Sequence, residues 1–479
     1  MSKKKAIKSI LIYTILPKLS IVLNLLFLPI LSPFLTLSDY GIQGVILAYV
    51  GVFQMLIYLG QNVHIQNAYF EYKSNYFLIW QRSFGLMTIA GIVASILMGL
   101  IIYFFLIPTI GPHWPVVIIC LSVFLISSPI NEVVILYCVL KEQPLLLALS
   151  SVLSGLLTLF VSFVAIKYLH LGFLGWILAM PINGLFLYLF YFRKIVVREK
   201  IYPKLKLNKR FLKDALEVGL PLVPHQLSLY VMNVSDRLLL TFFGVGIKSI
   251  GYYSQGYSMG SNGTVLYSGV FQSLSRNLQE AFRSKEEHHK LYITKTILII
   301  PLGLSICFFV ASLWCKEGFF ILFRNPELRQ SYPIAIITLG SLMFYPIYSF
   351  FTYPLSINKK TFSISKISIA AALFNILGNI ILIPDYGIWA AAGTTYVSSI
   401  IFGFAGLFDR ENRNFLNQYL NITKFCGWMF VINISLFSMS YLSKDITIYI
   451  KVPVTILILT AYLFFINRKF KVKDEISNL

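Results

Sequence analysis

Two basic side chains lie inside long apolar segments, where ionisable groups are rare and costly. Lys18 directly follows Pro17 near the middle of the first segment, and Arg237 lies towards the end of the seventh. Because proline lacks an N–H group, the helix at Pro17 is expected to kink and to leave a carbonyl unpaired. A guanidinium suits phosphate and carboxylate oxygens. We therefore predict that Lys18 and Arg237 bind an anion, with Lys18 pairing with a neighbouring carbonyl as the alternative.

Four further ionisable residues are candidates for coupling or gating. Asp39 opens the second segment, where a carboxylate is expected to cap a helix N-terminus. Asp236 precedes Arg237 and is expected to join its helix to a neighbour. Glu132 follows a proline in the fourth segment, and His225 lies in a proline-rich part of the seventh. Both have side chains that can carry a proton.

Uncharged polar residues in the apolar segments have two interpretations, which stay open at this point. They line a cavity that accommodates sugar, or they form hydrogen bonds between helices. Asn24, Asn233 and Gln255 are taken as substrate-binding candidates. The others are Gln54, Asn62, Asn262, Asn375 and Asn379. The five cysteines are scattered without metal-ligand or redox spacing, so no metal and no cofactor are expected.

The composition indicates a membrane protein. Of the 479 residues, 57% are hydrophobic and only 12% are charged, and the mean hydropathy is +0.76. The net charge of +21 would suggest a nucleic-acid partner in a soluble protein. In a membrane protein, basic residues collect in cytoplasmic loops and contact anionic lipid head groups, so no nucleic-acid partner is expected.

Apolar stretches of membrane-spanning length predict an all-α integral membrane protein with about 14 transmembrane helices. They lie near 7–31, 39–60, 84–107, 114–138, 145–166, 171–192, 215–243, 249–275, 292–313, 331–356, 361–383, 387–408, 419–442 and 446–466. With both termini in the cytoplasm, about 31 of the 40 basic residues fall in cytoplasmic segments. The chain is therefore expected to lie in the cell's inner (plasma) membrane in this orientation.

Similar motifs recur in the two halves at an offset of about 205–215 residues, which is typical of a parallel repeat. The pairs are Pro17 with Pro221, SDYGIQG at 38–44 with SIGYYSQG at 249–256, and LGFLG at 171–175 with YGIWAAAG at 386–393. We predict two pseudo-symmetric lobes around a central cavity. The predicted parts are an N-terminal lobe at 1–192, a basic cytoplasmic linker at 193–214, a C-terminal lobe at 215–408, and two additional spans with a cytoplasmic tail at 409–479.

Two stretches, at 37–70 and 219–259, resemble the polysaccharide transport family of flippases. The similarity lies in the Tyr-Gly start and Leu-Gly end of the second span, and in the Gly-x-Pro opening and Asp-Arg pair of the seventh. The resemblance implies two lobes in a V shape and a cargo of oligosaccharide on a polyprenyl pyrophosphate carrier. By similarity to the related lipid II flippases, Lys18 and Arg237 would contact the pyrophosphate; the scarcity of other intramembrane arginines argues against lipid II itself.

The expected function is translocation of a lipid-linked O-antigen or capsule repeat unit, as in lipopolysaccharide or capsule assembly, by alternating access. An H⁺ or Na⁺ gradient is a candidate energy source. A multidrug or toxin extruder is the alternative, although extruders of organic cations would be expected to carry acids in the cavity. A membrane enzyme of polysaccharide assembly is disfavoured because the outer loops are short and hold no paired carboxylates or nucleophile motif. A monomer is expected, with polymerase and chain-length proteins as possible partners.

Overall fold

The computed structural model describes residues 22–71, 76–110, 114–126, 128–141, 143–220, 223–283, 286–358 and 360–470. Within these ranges the regular structure is helical, and there is no β-strand. Nine of the described helical segments are long and apolar enough to cross a membrane, and the described helices fall on all fourteen predicted spans. The all-α membrane fold class is thereby confirmed. Lys18, Pro17 and Pro221 lie outside the described residues.

The chain divides into two compact units, which are described separately. The first contains residues up to Gly251 together with Leu322–Asn325. Its helices are α1 (Val22–Phe34), α2 (Leu37–Tyr58), α3 (Gln61–Glu71), α4 (Tyr76–Ile101), α5 (Ile107–Ile110), α6 (Trp114–Ile126), α7 (Ser128–Leu140), α8 (Pro144–Phe163), α9 (Phe173–Phe192), α10 (Lys209–Gly219), α11 (Val223–Phe242) and the start of α12 (Ile247–Ser261). Short π-helical turns extend α4, α8 and α9 at Ile102–Leu106, Val164–Tyr168 and Arg193–Arg198.

The second unit contains Tyr252–Ile321 and the residues from Pro326 onward. After the rest of α12 its helices are α13 (Thr264–Arg283), α14 (Glu287–Leu313), α15 (Cys315–Leu322), α16 (Pro326–Arg329), α17 (Tyr332–Leu342), α18 (Tyr345–Ile357), α19 (Thr361–Phe404), α20 (Arg410–Leu416), α21 (Ile422–Leu442) and α22 (Ile448–Phe470). Its core is rich in aromatic side chains, with Phe308, Phe309, Phe344 and Phe350 at most 2% exposed.

The seventh predicted span, α11, belongs to the first compact unit, whereas the repeat pattern assigns it to the C-terminal lobe. The hydroxyl of Tyr230 on α11 donates to the carbonyl oxygens of Ala48 (3.2 Å) and Leu47 (3.3 Å) on α2. Gly51 makes room for this ring, because a Cβ there would lie 1.6 Å from the Tyr230 hydroxyl oxygen. Close packing on α2 thus explains why α11 groups with the first unit, and the lobe boundaries themselves stay a prediction.

Helix α19 comprises two of the predicted spans. Its 44 residues would extend about 66 Å as one rod, more than twice the hydrocarbon thickness. The backbone breaks at Gly387, with φ 55° and ψ −129°. Gly172, which precedes α9, has φ 54° and ψ −130°. Glycine alone adopts this region readily, and the two positions are those paired by the predicted repeat, so the shared conformation supports it.

A buried ion pair fastens the last helix of the second unit. Lys451 of α22 is 1% exposed, and its Nζ lies 2.7 Å from Glu317 Oε1 on α15. In the nearby loop before α22, Asp445 accepts hydrogen bonds from Lys316 Nζ (2.7 Å) and from the Tyr332 hydroxyl (2.8 Å). These contacts join α15, the start of α17 and the start of α22 with the loop before it.

Candidate functional site

The predicted residues of α11 form one polar strip in the first unit. Asp236 is fully buried and Arg237 is 6% exposed. Arg237 Nη1 donates to the Asn233 carbonyl oxygen at 2.7 Å, one turn earlier on the same helix. The Asn233 amide donates in turn to the Leu229 carbonyl at 2.6 Å. These bonds hold the polar side chains of the strip close to their own helix. His225, half-buried on the same helix, makes further interactions.

Asp39 takes part in the predicted cap of α2, as the third helical residue of a capping box whose N-cap residue is Thr36. One of its carboxylate oxygens accepts from the Thr36 backbone N–H at 2.8 Å, while the Thr36 hydroxyl accepts from the Asp39 N–H at 3.2 Å. The other oxygen accepts from the Phe173 N–H at 2.9 Å, at the start of α9. The capping prediction is confirmed, and the same carboxylate also links two helices.

The other predicted residues lie apart from this strip. Asn24 lines a small cavity of about 190 Å³ in the first unit, together with Gln43, Thr158 and Ser162. Glu132 is partly buried in α7. Gln255 lies in α12 within the second unit, 1% exposed, and its amide nitrogen has no hydrogen-bond partner among the described residues.

For Asn375 and Asn379 the structure favours hydrogen bonds between helix segments over a cavity lining. Both side chains are fully buried in α19. The Asn375 amide donates to the Thr395 hydroxyl and the Asn379 amide to Asn375 Oδ1, each at 3.3 Å, and Thr394 donates to Asn379. Since these threonines lie beyond the break at Gly387, the four residues join the two halves of α19.

The second unit contains a polar cavity of about 490 Å³ between α13 and α18. This volume lies within the range of about 300–1,000 Å³ that is usual for ligand pockets. One face of α13 supplies the lining, because residues four apart in a helix lie above one another. The lining residues are Tyr267, Ser268, Phe271, Gln272, Ser275, Gln279 and Arg283 from α13, Tyr348, Ser349, Thr352, Tyr353, Ser356 and Ile357 from α18, and Ile364 from α19.

The inner part of this cavity is formed by tyrosines and hydroxyl groups. Tyr267 and Ser349 hydrogen-bond across it, joining α13 to α18. The Tyr353 hydroxyl donates to the Phe271 carbonyl at 3.4 Å, and the two rings stack with centroids 6.4 Å apart. The hydroxyls therefore fix the two helices relative to each other and leave aromatic surface facing the cavity.

The outer part is formed by longer polar side chains at the end of α13. Gln272, Gln279, Glu280 and Arg283 are exposed, and with Ser275 they line an adjoining cavity of about 490 Å³. The Gln279 amide donates to the Ser275 hydroxyl at 3.4 Å. Amides and hydroxyls match the donors and acceptors of sugar hydroxyls, and a guanidinium matches phosphate oxygens. The arrangement suits a polar, hydroxylated ligand that carries an anionic group.

Among the described residues, none of the predicted substrate-binding positions lines this cavity. The sequence does contain a pattern that could have indicated the cavity. Polar side chains recur about every four residues over 267–283, where a membrane span normally has apolar ones. The eighth predicted span ends at 275, so Gln279 and Arg283 fall in a loop in that interpretation. In the structure α13 continues to Arg283 and carries both side chains along the cavity.

Nine long apolar helices among the described residues define a multi-span membrane protein, and its second unit holds a cavity between helices. Its residues 6–274, more than half of the chain, match the model of the family described as polysaccharide biosynthesis protein. The chain belongs to this family. An uncharacterized membrane protein of Methanocaldococcus jannaschii is 25% identical over 263 residues, 51% of this chain and 48% of that protein. The chain thus matches about half the length of that relative.

Solved membrane transporters share the fold. The inward closed conformation of the lipid II flippase MurJ has a TM-score of 0.61 and 15% identity, covering 97% of this chain and 98% of that chain. A eukaryotic MATE transporter has a TM-score of 0.54 and 13% identity, covering 86% and 97%. A mutant of the Vibrio cholerae MATE transporter VcmN has a TM-score of 0.52 and 16% identity, covering 86% and 95%. At these identities the likeness establishes the fold.

Proposed function

We propose that the protein is a flippase, located in the inner membrane with both termini in the cytoplasm, that moves a polyprenyl-pyrophosphate-linked oligosaccharide to the outer leaflet. The cargo would be an O-antigen or capsule repeat unit. The observation that carries the proposal is the cavity between α13 and α18, since a site lined by tyrosines, amides and hydroxyls suits sugars. Membership of the polysaccharide biosynthesis family and the likeness to transporter folds support it.

The two parts of the cavity would bind different parts of the cargo. The tyrosine and serine side chains of the inner part would contact sugar rings and hydroxyls. Arg283 at the outer part would contact the pyrophosphate, with Gln272 and Gln279 binding the first sugar. In the proposed orientation this end of α13 faces the cytoplasm, where the lipid-linked unit is made. The polyprenyl chain would stay in the lipid while the head group crosses.

Lys18 and Arg237 are proposed as further pyrophosphate contacts on the path of the head group. Arg237 would exchange its bond with the Asn233 carbonyl for a bond to a phosphate oxygen during transport. Asp236, Glu132 and His225 stay candidates for coupling transport to H⁺ or Na⁺. An assembly with polymerase and chain-length proteins would deliver the product to the next step.

The proposal is tested by complementation in a host that lacks the gene. Surface glycan and carrier-linked repeat units are measured after restoring wild type, Arg283→Ala, Arg283→Lys and the control Arg410→Ala at equal membrane expression. Arg410 starts α20 and does not line the cavity. A charged hydrogen bond contributes about 1.5–3 kcal/mol, so Arg283→Ala is expected to lower export about tenfold or more while Arg283→Lys retains part of it.

Each outcome decides between functions. Loss of surface glycan in the deletion strain, with repeat units accumulating on the cytoplasmic face, supports the flippase. If the deletion strain keeps its surface glycan and becomes sensitive to cationic drugs, the protein is an extruder and the flippase proposal is wrong. If Arg283→Ala and Arg410→Ala export equally well, the flippase proposal stands but Arg283 does not bind the cargo.

A further inference from the structure

Two histidines and a glutamate converge at the start of α14. Glu286 Oε2 lies 3.1 Å from His288 Nδ1 and 3.5 Å from His289 Nδ1. The two imidazole rings have centroids 3.9 Å apart. One ligand atom from each residue can be chosen so that all three lie within 4.8 Å of one another. Two nitrogens and one oxygen that can bind a metal thus lie close together.

The contacts of this group are unusual for a helix start. Glu286 is the N-cap residue of α14, yet its carboxylate makes no capping bond to the backbone. It is turned towards the two imidazoles instead. His289 Nδ1 is buried and has no hydrogen-bond partner among the described residues. An imidazole that carries its proton on Nδ1 donates to the carboxylate, and one that carries it on Nε2 presents a lone pair at Nδ1 that can bind a metal ion.

The spacing matches a tetrahedral metal site. Metal–ligand bonds of about 2.0–2.2 Å place the ligands of a tetrahedral zinc ion roughly 3.3–3.5 Å apart. Of the two separations from Glu286 Oε2, the one to His289 Nδ1 (3.5 Å) lies in this range and the one to His288 Nδ1 (3.1 Å) is about 0.2 Å shorter. Imidazole nitrogens with one carboxylate are donors for Zn²⁺ and related transition ions, whereas Mg²⁺ and Ca²⁺ prefer a shell made of oxygen.

We propose that Glu286, His288 and His289 bind a divalent transition-metal ion of the Zn²⁺ class. Three protein ligands leave the fourth position to water or to a ligand oxygen. The group follows Arg283, the last residue of α13, by only three to six residues, and the ion would restrain the start of α14. The inference is independent of the proposed transport activity, because binding is measured without cargo.

The test is zinc binding by the full-length protein, purified in detergent without a polyhistidine tag. Titration calorimetry and competition with a chromogenic zinc chelator should give one equivalent bound by wild type. His288→Ala, His289→Ala and Glu286→Gln should each weaken binding by at least about 10–100-fold, as even the loss of a supporting group around a metal ligand does so. The matched controls are Glu287→Gln, an adjacent exposed acid, and His170→Ala, a histidine of the first unit.

X-ray absorption at the zinc edge provides a second measurement that needs only wild type. Two imidazole nitrogens and oxygen ligands, without sulfur scattering, would support the site. Sulfur ligands would assign the ion to the cysteines instead and overturn the proposal. So would the absence of stoichiometric binding, or equal affinity in wild type and in the His288→Ala and His289→Ala variants.

Discussion

Replacing Gly251 with alanine should loosen the crossing between the starts of α2 and α12. The two helices meet there by their backbones, since an added Cβ at Gly251 would lie 1.7 Å from the Leu37 carbonyl oxygen. The reciprocal contact is also short, with a Cβ at Gly41 lying 2.2 Å from the Ile247 carbonyl oxygen. Real Cβ atoms stay at least about 3.0 Å from such atoms, so Gly251→Ala must separate the backbones by about 1.3 Å. Overpacking of this kind costs about 1–3 kcal/mol.

The assay is thermal unfolding of the purified protein, followed by tryptophan fluorescence in one detergent. Gly251→Ala and Gly41→Ala should each melt a few degrees below wild type. The matched control is Gly246→Ala, in the loop before α12, where an added Cβ meets nothing within 4 Å. If Gly251→Ala and Gly246→Ala melt at the same temperature, backbone contact does not determine the stability of this crossing and the reasoning is refuted.

Three further predictions concern stability and use the same melting assay. Lys451→Met should destabilise the second unit by about 3–5 kcal/mol because Glu317 loses its partner, and an added Glu317→Gln should recover much of the loss. Asp39→Ala should cost about 0.5–1.5 kcal/mol because the Thr36 and Phe173 N–H groups lose their carboxylate acceptor, whereas no loss would contradict the capping role. The hydrogen bond from Lys316, followed by that from Tyr332, lowers the pKa of Asp445. A lowered pKa in the folded state gives stability that is present at neutral pH and is lost as the pH falls through that pKa, so acid should destabilise wild type more than Asp445→Asn.

The helices could be predicted from the sequence because a span requires about 20 apolar residues, and that requirement is local. The break in α19 was also predictable, since Gly387 follows Pro384 at the boundary between two spans. The cap at Asp39 depends only on Thr36, three residues earlier in the chain, so it was predicted correctly.

The cavity could not be predicted in the same way, because its lining depends on which faces of α13 and α18 meet. Tyr267 and Ser349 are 82 residues apart, and no local pattern pairs them. The assignment of α11 to the first unit has a similar cause, because the contact of Tyr230 with α2 spans more than 180 residues. The charge of Arg237 within an apolar segment made it a candidate anion-binding residue, but its bond to the Asn233 carbonyl could not be predicted from the sequence.

The double role of Asp39 constrains how the first unit moves. Its two oxygens connect the first turn of α2 to the first turn of α9, and Gly172 beside it has no room for a side chain, since a Cβ there would lie 2.6 Å from Asp39 Oδ1. The two helix ends are therefore held together by one carboxylate. A displacement of the start of α2 is therefore expected to move the start of α9 with it.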